Sequence, residues 1–320
     1  MFDEIGSEFH LMDYDEGNGL LFPRSGSLVF SGRTAIESVL STITNAHTAL
    51  LPSYCCESII EPFIKAGIKV SFYDVNFFDR LTVKIDKTAD ILFWCNYFGF
   101  NIKMPDFDGI IIEDITHSLF SDKQCDVRSD YLVASIRKWE PIVCGGYCSI
   151  EFQGKTPPSD FIIKKKNAME LKKDYLLSKN NTISKKEYLL LFQDSNKWLS
   201  NNYTGMAIDS WSTEYLSHID MNKQKEIRRQ NAIVIYNELK NISFLFPLSD
   251  MDCPLFVPII HKKRNELRNY LIENNVFCPV HWPQPNGCES NIYSQELSIV
   301  CDQRYDESDM RRIASLINAF

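Results

Sequence analysis

Asp130-Tyr-Leu-Val-Ala-Ser-Ile-Arg-Lys-Trp139, followed at once by Glu-Pro-Ile-Val-Cys-Gly145-Gly146, carries one lysine out of an apolar strand into a glycine-bounded turn. A lysine delivered to the end of a buried strand is a candidate nucleophile toward a carbonyl carbon. Most lysines beside a Gly-Gly pair are solvated loop residues, so this stretch alone leaves both readings of Lys138 open.

A second apolar run, Gly109-Ile-Ile-Ile-Glu-Asp114-Ile-Thr-His117, ends in a carboxylate with a histidine three residues later. The unbroken run predicts a strand buried on both faces in a parallel sheet, and the functional groups of such sheets gather at the carboxyl ends of the strands. Asp114 and Lys138 are thereby expected at one edge. A carboxylate there can face the ring nitrogen of a pyridoxal-type cofactor carried on the lysine. The ordinary alternatives are an Asp114 that caps a helix opening at Ile115 and a His117 that only packs.

Upstream, Phe30-Ser31-Gly32-Arg33-Thr34-Ala35-Ile36 opens a segment with apolar residues at Ala35, Ile36, Val39, Leu40 and Ile43, the spacing of a helix. The Ser-Gly-Arg-Thr turn then stands at a helix N-terminus, which is either a phosphate site or a plain Ser/Thr cap.

In order and spacing these elements resemble the DegT/DnrJ/EryC1/StrS family of pyridoxal-phosphate-dependent sugar aminotransferases, which have the aspartate aminotransferase (type I) fold. The resemblance runs from Gly6-Ser-Glu-Phe9 through Leu51-Pro-Ser-Tyr54, Gly67-Ile-Lys-Val-Ser-Phe-Tyr-Asp74 and Asn96-Tyr-Phe-Gly99. It ends with Pro279-Val-His-Trp-Pro283 and Leu297-Ser-Ile-Val. It implies that Lys138 binds pyridoxal 5'-phosphate through its amine, that Asp114 pairs with the pyridine nitrogen, and that His117 reaches the phenolic oxygen. It implies a phosphate held by Gly32, Arg33 and Thr34, with Ser135 as hydroxyl donor, and a homodimer. The implied reaction moves an amino group, from glutamate, to a keto-sugar linked to a nucleotide, for surface polysaccharide or secondary-metabolite sugars. His281 and Trp282 are candidates for lining the sugar site. Two rival readings are other pyridoxal chemistry on the same fold and a non-catalytic binding or regulatory relative.

The chain departs from the family pattern in three places. Ser135 lies three residues before Lys138, whereas many relatives have five. Arg33 interrupts the commoner Ser-Gly-Thr. Cys55-Cys56 stands where an aromatic residue usually follows the Pro-Ser-Tyr element, so contact with the cofactor ring falls to Tyr54 or to the smaller Cys56.

The 320 residues, 44% hydrophobic, suffice for one large core or two adjoining domains. Helix and strand patterns alternate to about residue 150, with a helix over 56–66 and strands over 70–73, 91–94 and 110–113. This predicts an α/β fold: a mostly parallel central sheet covered by helices, and a smaller α+β C-terminal domain. The expected division is 1–205 and 206–320, the second part holding helices over 223–239 and 263–273 and a last helix from Glu307. Residues 162–186, rich in lysine, predict an amphipathic helix with a solvated lysine face. The net charge of −8 argues against nucleic acid as a general partner. No apolar run approaches a membrane span and the acidic start is unlike a signal peptide, so a cytoplasmic protein is expected. The ten cysteines form no CxxC pair, which predicts buried, reduced thiols and no metal site.

Overall fold

The computed structural model describes residues 4–178 and 184–320. After a short strand β1 (Ile5–Gly6), eight strands build the main sheet: β2 (Ser27–Val29), β3 (Thr48–Pro52), β4 (Lys69–Phe77), β5 (Leu81–Lys84), β6 (Ile91–Cys95), β7 (Ile110–Asp114), β8 (Tyr131–Ser135) and β9 (Gly146–Cys148). Their order is β2-β9-β8-β7-β6-β3-β4-β5, and the five strands from β8 to β4 run parallel. All five side chains of β6 are buried, as expected of a parallel strand covered on both faces.

Helices α1 (Gly32–Thr42) and α2 (Glu57–Lys65) follow β2 and β3, and α3 (Ser159–Leu177) and α4 (Lys185–Asn201) pack on each other. Next come α5 (Ser210–Ser217), α6 (Met221–Glu238), β10 (Ser243–Phe244), β11 (Val257–Ile260), α7 (Arg264–Glu273), β12 (Val276–Phe277), β13 (Glu296–Ile299) and α8 (Glu307–Ala319). Strands β10, β11 and β13 make a small antiparallel sheet. Its buried face shares a core with α6, α7 and α8 through Ile235, Ile259, Leu267, Leu297 and Ile313. Strand β1 pairs with β12, tying the start of the chain to this later part. The predicted α/β architecture with its mostly parallel sheet is what the chain adopts.

Local chemistry sets the junctions that matter for the site. The Ser31 side chain accepts a hydrogen bond from the Thr34 N–H and so starts α1. Gly146 opens β9 opposite Ser135, and a Cβ there would overlap the Ser31 carbonyl. The missing side chain is what allows β2, β9 and the α1 turn to meet. Trp139, fully buried, stacks on Phe120 with ring centroids 4.6 Å apart, lies under the Arg228 guanidinium, and donates its indole N–H to Thr116 O. It pins the residue just after Lys138.

The lysine-rich stretch differs from expectation. Residues 162–186 are divided between α3 and α4, with 179–183 outside the described residues. Lys165 and Lys172 are buried on α3. The N-terminal segment covers them: Lys165 donates to Asn196 at 3.1 Å and lies 3.9 Å from Glu8, while Lys172 donates to the Gly6 and Glu8 carbonyls. Burial pushes their ammonium pKa values down, to about 8 and about 7. All ten cysteines are free and most are buried. No described helix is long and apolar enough to cross a membrane.

Two outcomes follow from this framework. Gly146→Ala is expected to lower stability by about 1–3 kcal/mol in urea unfolding, because the new methyl must displace the Ser31 backbone; an unchanged midpoint would contradict the packing account. Glu296 is fully buried, and burial raises its carboxyl from 4.5 to about 8. The folded state then holds a proton that the unfolded chain has lost between those two pH values, so this group's stabilisation is complete below about 4.5 and disappears as pH rises to about 8. The stability of the wild type relative to Glu296→Gln should therefore fall across that window, by up to about 1.4 kcal/mol per pH unit. A difference that is flat with pH would refute the buried neutral carboxyl.

Candidate active site

The carboxyl ends of β6, β7 and β8 and the N-terminus of α1 enclose a cavity of about 230 Å³. Ligands of open parallel sheets bind at this edge. Lys138, Asp114, His117, Ser135, Gly32 and Arg33 all line the cavity, as do Cys56 and Trp282. Ser135 ends β8, and residues Ile136–Lys138 form a single 3-10 turn. This tight turn accommodates the three-residue spacing from Ser135 to Lys138 and still brings both into one cavity.

Lys138 Nζ lies 3.2 Å from His117 Nε2 and 5.6 Å from the centre of the Trp282 ring. His117 Nδ1 accepts a hydrogen bond of 2.9 Å from the Phe98 N–H, so the proton of the neutral ring belongs on Nε2, facing Lys138. Burial, reinforced by Lys138 and His281, holds the His117 pKa well below its usual value, which keeps the ring neutral. The Trp282 ring stacks over His117 at 6.0 Å with an interplanar angle of 20°.

Asp114 accepts a hydrogen bond of 2.9 Å from the Thr116 N–H. It caps a turn, not a helix at Ile115. Burial raises its carboxyl above the ordinary value, opposed by Thr116 and by nearby Lys138. A carboxylate in that position gains most from a cation brought to its free side.

Three of the sequence candidates sit behind the wall. The Thr34 hydroxyl donates to Tyr203 O at 2.8 Å and meets Ser31 Oγ at 3.0 Å, which leaves it turned into the protein. Tyr54 is fully buried, donates to the His281 carbonyl, and packs edge-on against Tyr293. His281 is buried as well. Its Nδ1 lies 2.7 Å from Ser298 Oγ, its N–H donates to Glu296 at 2.9 Å, and burial lowers its pKa to about 3. These bonds fix the backbone that presents Trp282 to the cavity.

Arg137, Thr116, Leu199 and Ser200, to which the sequence assigned no role, also line the cavity. Arg137 was visible in the motif, but where its side chain goes depends on the 3-10 turn. Leu199 and Ser200 arrive on α4, whose approach leaves no local mark in the sequence. Among the described residues no group of three or more His, Cys, Asp or Glu side chains is placed to hold a metal ion.

No family model and no curated protein matches the chain. Solved structures do. A DegT DnrJ EryC1 StrS aminotransferase from Brucella abortus is 14% identical, covers 93% of this chain and 86% of its own, and superimposes with a TM-score of 0.64. PseC of Helicobacter pylori, an aminotransferase involved in the biosynthesis of pseudoaminic acid, is 12% identical over 98% of both chains with a TM-score of 0.63. The sugar aminotransferase CalS13 of Micromonospora echinospora is 11% identical, covers 92% of this chain and 87% of its own, and gives a TM-score of 0.61. The chain has the fold of these aminotransferases.

Proposed function

We propose that this chain is a pyridoxal-phosphate-dependent aminotransferase acting on a sugar. The observation that carries the reading is the meeting of Lys138, His117 and Asp114 with the N-terminus of α1 in one cavity. The residues suit the cofactor on physical grounds. Asp114 offers a half-buried carboxylate at one end. Gly32 keeps the other end open, since a Cβ there would lie 3.1 Å from Ser135 Cβ. The likeness to sugar aminotransferases supports the reading, as does a similar Streptococcus pneumoniae protein solved in PLP and PMP forms.

Bound there, the cofactor supplies an electron sink for the carbon bearing the amino group. Lys138 holds the cofactor and, once released, moves a proton on its amine as base and then acid. Asp114 keeps negative charge at the ring-nitrogen end. The His117 Nε2–H is a hydrogen-bond donor toward the lysine end, and Trp282 covers that end against water. Glutamate as donor, a nucleotide-linked keto-sugar as acceptor, a cytoplasmic homodimer and a division at 205/206 complete the proposal. So does a role in polysaccharide or secondary-metabolite sugar synthesis.

Reconstitution with pyridoxal phosphate is expected to give visible absorbance that Lys138→Ala lacks, with turnover in that variant reduced by about 10²- to 10⁴-fold. Addition of glutamate should bleach the band. Wild-type protein without the band, or Lys138→Ala with it, overturns the assignment of Lys138; a band that glutamate leaves untouched overturns the donor.

A further inference from the structure

Arg137 lines the cavity, and its guanidinium makes no ion pair among the described residues. Its Nε is buried and has no hydrogen-bond partner among the described residues. The acidic group that influences it most is Glu8, but that carboxylate is already engaged, accepting from Asn196 at 2.9 Å and lying 3.9 Å from Lys165. Arg33, the cation expected from the sequence, is committed elsewhere. Its Nε lies 3.3 Å from Glu61, its guanidinium donates to Ser200 O at 3.2 Å, and it sits over the Tyr203 ring.

The 3-10 turn explains the separation of roles. Successive residues on such a turn point about 120° apart, so Arg137 and Lys138 leave the same turn toward different ends of the cavity. The groups close enough to influence Arg137 include the Arg33 guanidinium and the Cys56 side chain, at the start of α1 and α2. Lys138 instead acts on Asp114, His117 and His281. Three further donors gather at the arginine end. The Gly32 and Arg33 N–H groups open α1 and have no earlier carbonyl in the helix to bond. The Ser135 hydroxyl lines the same wall and makes no hydrogen bond among the described residues.

We propose that Arg137 is the cation of a phosphate-monoester site completed by the Gly32 and Arg33 N–H groups and the Ser135 hydroxyl, with the Arg33 side chain serving Glu61 instead. The inference rests on the reading of the cavity as a pyridoxal-phosphate site and assigns the residue that holds the dianion there. A guanidinium fork, two main-chain donors at a helix start and one hydroxyl offer a tetrahedral dianion five donors and one full positive charge, beside the positive end of the α1 dipole.

The test is a set of equilibrium titrations on the apo protein: pyridoxal phosphate and unphosphorylated pyridoxal followed by absorbance, and inorganic phosphate followed by thermal shift. Arg137→Gln should weaken pyridoxal phosphate and inorganic phosphate by about 10- to 100-fold while pyridoxal keeps its affinity. Arg137→Lys should recover part of the loss and guards against a folding defect. Equal weakening of pyridoxal would make Arg137 merely structural, and unchanged binding of both phosphate ligands would also refute the site. If the wild type shows no lysine-linked absorbance but Arg137→Gln still abolishes stabilisation by inorganic phosphate, the cofactor reading falls and the anion site stands.

Discussion

The close approach of the Gly146 backbone to the Ser31 carbonyl is the contact on which the site depends. Strand β9 pairs Gly146 with both Val29 and Ser135. At that crossing the start of α1 and the end of β8 share one backbone layer with no side chain between them. The helix N-terminus, Ser135 and the lysine turn therefore reach the same cavity without any long loop. Trp139 holds the other side of the turn through stacking on Phe120 and its indole hydrogen bond. Anchors at Ser135 and Trp139, on either side of the 3-10 turn Ile136–Lys138, leave that turn and the lysine it carries little freedom.

Electrostatics gives the cavity a direction. Asp114 at one end and Arg137 at the other are half-buried charges that make no ion pair among the described residues, with only Lys138 and Glu8 as more distant counter-charges. Folding around unpaired buried charges is costly, and the cost is offset when a ligand brings the complementary charges. A zwitterion with a cationic ring and an anionic tail is the complementary shape. The histidines are arranged to the same end. His117 is kept neutral with its proton on Nε2, and His281 is locked by Ser298 and Glu296 beneath Trp282.

Much of this was legible in the sequence, for identifiable reasons. Apolar runs at 91–94 and 110–113 announce buried parallel strands, and the groups that end such strands, Asp114 and Lys138, converge because parallel strands share one carboxyl edge. Ser31-Gly32-Arg33-Thr34 marks a helix start by its own chemistry. The exposure of single side chains was not legible. Thr34 and Tyr54 face inward because of partners 169 and 227 residues away, Tyr203 and His281. Lys165 and Lys172 are buried because the N-terminal segment folds back over α3, a contact no helical pattern encodes. The commitment of Arg33 to Glu61 arises across α1 and α2, and it leaves Arg137, not Arg33, as the cavity arginine without an ion pair among the described residues.

The most direct test of the account is to load the protein with pyridoxal phosphate, reduce it with borohydride, and locate the trapped pyridoxyl group by peptide mass spectrometry. The account predicts stoichiometric modification at Lys138 alone. Modification spread over other lysines, or centred on another residue such as Lys165 or Lys172, would contradict it.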